Sequence, residues 1–292
     1  MSWLGFALLC ALFAAISAIM EKKTLFYEHA MEFSAVLSVI IAGLSLPFFF
    51  LINYSALDVK KVLLMLATAT VGAIGSFFIN RSARHMEISA ASPLLVLGPV
   101  ITTILAFFIL NEHITTVQAI GIVILVAGGY ILELKPGSKI IGPIREFIDS
   151  KFIHILFLGL FILSISSLLD RVILSRESVS VYAYLAFVNF FQALVYLIML
   201  TFYHDGINGI KHGFKTAGYP LLIIAALTVS YRFFQATAVQ LVYVGLALSI
   251  KRTSSIFTTL VGGKLFHEKN LIRRGFACLI MILGAILIAL KL

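Results

Sequence analysis

The sequence predicts an all-α polytopic membrane protein, with ten transmembrane helices arranged as two inverted five-helix repeats. Three observations carry that expectation: a series of apolar runs of membrane-spanning length, short polar breaks between them, and an internal repeat. Of the 292 residues 61% are hydrophobic and only 12% charged. Soluble domains carry about 25% charged residues. Half that leaves too little polar surface to cover a globule in water, whereas a lipid-facing exterior removes the difficulty.

A helix needs about 20 apolar residues to cross the hydrocarbon core. In the first half the runs that qualify are 3–24, 33–52, 62–81, 89–110 and 116–134. In the second they are 152–174, 181–203, 219–242, 245–266 and 271–290. The runs are continuously apolar rather than alternating, which argues against a barrel. The first lacks a basic start and a small-residue cleavage site, so it reads as a span and not as a signal peptide. Breaks such as Asn53-Tyr54-Ser55 and Asn111-Glu112-His113 carry turn residues. The longest, 135–151, holds Pro136, Gly137, Gly142 and Pro143 and is expected to link a first domain, 1–134, to a second, 152–292. Such short loops make successive helices antiparallel and leave the function to the helices themselves.

The net charge of +9 is spread over the breaks and forms no single basic patch. That is where membrane proteins place cations, so membrane lipids and no nucleic acid are the expected partners. The same bias places both termini outside the cytoplasm by the positive-inside rule. Cys10 and Cys278 lie inside apolar runs, implying neither a disulfide nor a metal site. No cofactor is expected.

The repeat appears when 77–134 is moved forward by 156 positions onto 233–290 without a gap. Phe77-Phe78 meets Phe233-Phe234, Thr102-Thr103 meets Thr258-Thr259, Glu112 meets Glu268 and Gly128 meets Gly284. A shift of 149 aligns the first two spans of each half, pairing Glu21-Lys22 with Asp170-Arg171 and Tyr54 with Tyr203. Each half then has five spans. Because five is odd, two such repeats in one chain must lie in opposite orientations. Inverted repeats of this kind are a recurring plan of secondary transporters, with the substrate site at the repeat interface.

Ionisable groups at bilayer depth cost roughly 2.5–3.5 kcal/mol on insertion scales and each needs a reason. Arg232 stands near the middle of the eighth span, and Thr228, Arg232 and Gln235 share one helical face. Lys251 and Arg252 enter the ninth span, with Ser254, Ser255, Thr258 and Thr259 continuing its polar stripes. Asn189 and Gln192 make a similar face on the seventh, with Tyr196 one turn on. Together they are expected to form a cationic, hydroxyl-rich cavity wall suited to an anionic or zwitterionic solute; the bland alternative is bonding between helices or snorkelling. Glu21 and Asp170, at equivalent positions, are candidate coupling carboxylates for proton antiport, or else structural ion-pair members. Glu112 and Glu268 sit at turns before helices, where a carboxylate satisfies free amides. Pro93, Pro99 and Ser249 mark expected irregularities in the fourth and ninth helices.

At these residues the chain resembles the EamA-type members of the drug/metabolite transporter superfamily. The resemblance rests on the five-plus-five plan and on a motif closing the fourth span of each half. Its first copy is Pro99 with Glu112, followed by Gln118 and Gly121. The second is Lys251-Arg252-Thr253-Ser254-Ser255-Ile256-Phe257, then Gly262 and Glu268, with Ser255 where the family usually has proline. It implies a central cavity open to one side at a time, export or exchange of a small-molecule solute, both termini in the cytoplasm, and residence in the cytoplasmic membrane of a prokaryote. An enzyme is not expected: His267-Glu268 lacks the second histidine of a zinc motif, and neither a nucleophile elbow nor a phosphate-binding loop is present. A flippase for a lipid-linked substrate is the alternative.

Overall fold

The computed structural model describes residues 2–25, 30–85, 94–133, 151–203, 207–257 and 271–290. Among them the regular structure is helical throughout: α1 (Trp3–Leu25), α2 (Ala30–Phe49), α3 (Val59–His85), α4 (Gly98–Leu110) and α5 (Thr116–Glu133) in the first half. The second half has α6 (Lys151–Arg171), α7 (Val181–Tyr203), α8 (Ile207–Leu241), α9 (Val244–Lys251) and α10 (Leu271–Ala289). In hydrocarbon every backbone N–H and C=O must be satisfied within the segment, so an apolar run of this length has helix as its only open-chain solution. Among the described residues five segments are long and apolar enough to cross a membrane: Trp3–Glu21, Val59–Ile79, Lys151–Arg176, Val181–Thr201 and Tyr219–Leu241. Shorter apolar helices cover Ser34–Phe49, Gly98–Leu110, Thr116–Leu132 and Gly275–Ile288. Large side chains such as Phe108, Val123, Leu222 and Phe276 point outward from these helices. Lipid, unlike water, solvates them without cost.

The largest differences from the sequence reading lie in the eighth, ninth and fourth spans. The break expected before residue 219 is helical from Ile207, making α8 35 residues long with Pro220 inside it. The ninth span is interrupted, but not at Ser249, which lies within α9 and bonds the Gly245 carbonyl at 2.8 Å. The break comes at Arg252-Thr253, where i→i+3 bonds such as Thr253 N to Ile250 O tighten the backbone. The fourth span is likewise interrupted at Val96-Leu97, just ahead of Pro99 in the first turn of α4, with Leu97 N bonding Leu94 O at 3.0 Å. Shifted by 156 positions, one break falls on the other.

Packing runs across the halves. The principal partner of every helix comes from the opposite half: α5 with α10, α3 with α6, α1 with α8, α2 with α7, and α4 with α9 and α6. Without a hydrophobic force between helices in lipid, close backbone approach supplies the attraction, and small residues permit it. Gly121 lies against Gly284 and Gly128 against Ala277 where α5 crosses α10; Gly75 lies against Gly159 where α3 crosses α6. The largest buried cluster draws on both halves, from Ala7, Ala106 and Leu125 to Leu168, Val239, Ile250 and Met281.

The end of α4 is set by Asn111, whose left-handed backbone (φ 53°) lets both its own N–H and that of Glu112 reach the Ala106 carbonyl. Asparagine tolerates this conformation and β-branched residues do not. Asn111→Gly is therefore expected to be neutral, and Asn111→Val to cost about 1–2 kcal/mol, read as the thermal midpoint in detergent.

Candidate functional site

Between α3, α4, α6, α7, α8 and α9 lies a cavity of about 330 Å³. Its position follows from the cross-half packing, which brings together the polar faces of these helices. From α8 come Arg232 and Gln235, from α7 Asn189 and Gln192, and from the ninth span Lys251, Arg252 and Ser254. Asp170 of α6 and the first turn of α4, at Gly98 and Pro99, complete the set of sequence-predicted residues on the wall.

Arg232 is held by neutral acceptors. Its Nη1 donates to Asn189 Oδ1 and to Gln192 Oε1, each at 2.6 Å. Asn189 is buried, and its amide in turn donates to Ser45 Oγ of α2 at 2.9 Å. Lys251 Nζ donates to Gln235 Oε1 at 2.6 Å and lies 4.9 Å from the centre of the Tyr231 ring, a cation–π distance. Arg252 packs its guanidinium against Gly98, where an added Cβ would stand 3.3 Å from Nη2. Among the described residues the ion pairs are Arg171 with Glu112 and Lys60 with Glu177; Arg232 and Lys251 take part in neither.

Asp170 faces the same space, but its partners are hydroxyls. Thr68 Oγ1 of α3 donates to Oδ1 at 2.6 Å, and the Tyr184 hydroxyl of α7 also bonds the carboxylate. Thr68 and Ser166 are 3.0 Å apart. Sequence reasoning missed this hydroxyl group and also Ser76, Thr102, Ser164, Ser167, Tyr184 and Tyr231, all on the wall. The run Ser164, Ser166, Ser167 three residues ahead of Asp170 was the available signal.

Other predicted residues stand elsewhere. Glu21 of α1 accepts from Ser17 Oγ at 2.8 Å and is not on the cavity wall. Thr228 turns toward α1, 3.3 Å from Ser17. Ser255 donates to the Arg252 carbonyl at 2.7 Å and contacts Met281 Sδ at 3.8 Å, away from the cavity. Glu112 does satisfy a free amide at a helix start, but that of α9: Val244 N donates to its Oε2 at 3.2 Å, and Arg171 Nε to its Oε1 at 2.7 Å. The start of α5 is closed instead by Thr115 and Gln118, each backbone N–H bonding the other's side chain, a reciprocal capping box. Thr258 and Glu268 lie outside the described residues.

No curated protein matches the sequence. Of 29 matching chains of solved structures, one, described only as a crystal structure of a protein, superposes with a TM-score of 0.70 at 12% identity. The match covers 98% of this chain and 94% of that one, and at such low identity it shows a shared fold alone. Residues 1–134 match the model of the EamA-like transporter family, so this part of the chain is similar to membrane transporters of that family.

Proposed function

We propose that the protein is a secondary transporter that moves a small polar, anionic or zwitterionic metabolite by alternating access. Its two five-helix halves are mutually inverted and cross the membrane ten times, and it works as an exporter or exchanger in the cytoplasmic membrane of a prokaryote. The observation that carries this reading is the cavity itself. It is sized for a small metabolite, and Arg232 and Lys251 on its wall bond neutral amides rather than carboxylates. A cation held by neutral acceptors in a low-dielectric site keeps its attraction for an incoming anion.

The helix pairings support the inverted arrangement. Exchanging the halves turns α3–α6 into α8–α1, α3–α7 into α8–α2, and α4–α6 into α9–α1, all of them contacts in the structure. Of the other principal pairs, α5–α10, α2–α7 and α4–α9 map onto themselves. The Gly121–Gly284 approach likewise becomes Gly128–Ala277. The equivalent breaks in the fourth and ninth spans are natural hinges, since a short 3₁₀ stretch within a helix bends more readily than a regular one. Asp170 is the proposed coupling carboxylate, because it lies on the same cavity wall as the cations; Glu21, bonded to Ser17, is a second candidate.

Counterflow into proteoliposomes, run with a panel of anionic, zwitterionic, cationic and neutral metabolites, tests the reading. Uptake confined to anions and zwitterions is expected, and selective uptake of cations overturns it. A second result concerns charge. Gln192→Glu sets a carboxylate against Arg232 and is expected to raise the half-saturation concentration for an anionic solute by about tenfold or more, equivalent to roughly 1.4 kcal/mol. The purified variant's uptake curve measures it.

A further inference from the structure

Leu174 and Val239 line the cavity, and at their carbonyls four helix ends meet. Helix ends leave amides and carbonyls without intrahelical partners, and here side chains from both halves satisfy them. Glu112, turned back by left-handed Asn111, accepts from Arg171 Nε at 2.7 Å and from Val244 N, at the start of α9, at 3.2 Å. Arg171 also donates through Nη1 to the carbonyls of Val239 at 2.5 Å and Gln240 at 3.1 Å, in the last turn of α8. Arg176 donates to the Leu110 carbonyl at the end of α4, and Gln240 Nε2 to the Leu174 carbonyl at 3.3 Å. The Arg171 and Glu112 side chains are only 12% and 8% exposed.

Local backbone explains how two arginines five residues apart reach one helix end. Residues Val172–Arg176 form a π turn closed by Glu177 N bonding Val172 O. An i→i+5 turn stands residues five apart nearly above one another; a regular α-helix would splay them by more than a third of a turn.

We propose that the Glu112–Arg171 pair is the latch of a gate, closing the cavity on the side of the membrane where the ten-span reading places both termini. The inference rests on the alternating-access reading above. The levers are α4 and α9. Each runs from a hinge at the cavity, Val96-Leu97 or Arg252-Thr253, to an end held in the network, Glu112 or Val244. Swinging α4 about its hinge draws Glu112 from Arg171 and frees the α9 start in the same movement. An enclosed ion pair suits this role, since its attraction is largely offset by desolvation and it specifies geometry more than it adds stability.

Accessibility from each side tests the latch. In a chain with Cys10 and Cys278 replaced by alanine, Val239→Cys places a reporter behind the network. Its rate of labelling by a membrane-impermeant maleimide is measured in vesicles of both orientations. Labelling from the termini side is expected to be slow, to rise by about tenfold or more in Glu112→Gln and in Arg171→Lys, and to slow again in the exchange Glu112→Arg with Arg171→Glu. A brace without a gating role would lower the thermal midpoint and leave sidedness unchanged, and that result overturns the proposal. If a variant does not fold, the reporter in the otherwise intact latch still decides: free labelling from the termini side overturns it, and protection there with labelling from the other side supports it. Failure of the latch leaves the metabolite panel unaffected, so the two proposals fall separately.

Discussion

Arg232→Ala is expected to lower counterflow of an anionic solute by between about one and a half and three and a half powers of ten while leaving the protein folded. Arg232 presents its charge from the wall of α8 with Asn189 and Gln192 as its bonded acceptors. Losing a charge that meets a charged ligand in an enclosed site costs about 2–5 kcal/mol, and each 1.4 kcal/mol is about tenfold. The fold is expected to survive because the two amides left behind line the cavity, where water replaces the guanidinium. Arg232→Lys retains the charge but not the planar fork, so an intermediate rate is expected. Uptake by the alanine variant equal to wild type removes the cavity reading, provided the thermal midpoints agree.

Gly284→Val is expected to have the largest effect on stability. At the α5–α10 crossing an added Cβ would stand 2.5 Å from Leu125 N and 2.7 Å from the Gly121 carbonyl oxygen. Both obstacles are backbone, so no side chain is able to swing aside and the helices must separate. Overpacking a tight contact costs about 1–3 kcal/mol, and here the separation also forfeits the dispersion that holds the pair together in lipid. A marked fall in thermal midpoint, or loss of monodisperse protein in detergent, is the expected outcome. Gly275→Ala on the same helix is the control, because nothing lies within 4 Å of a Cβ there; it is expected to be neutral or mildly stabilising. Equal effects at both positions refute the packing argument.

Much of the cavity wall was legible from spacing. Arg232 and Gln235 lie three apart, as do Asn189 and Gln192, and each pair does share a face. Thr228, one turn earlier on the same stripe, instead faces Ser17 of α1. The stripe is wide enough to touch two neighbours, and spacing does not say which. Ser255 shows the same ambiguity at the break in the ninth span, where the tightened backbone turns it toward Met281. Arg171 was beyond reach for another reason. Its alignment with Arg176 needs a π turn, and its partner Glu112 is 59 residues away in the other half.

What the sequence by itself determined was the set of helices and their membrane environment. These are properties of single segments: a backbone in hydrocarbon must satisfy its own hydrogen bonds, so each apolar run becomes a helix whatever its neighbours do. Only the tertiary structure decided how the halves meet. They interleave, each helix packing chiefly on the opposite half, because contact in lipid is chosen by backbone approach at residues such as Gly121 and Gly284 rather than by apolar character, which all the helices share. That choice sets Asp170 beside Thr68 and Tyr184, Arg232 beside Asn189, and Glu112 against Arg171.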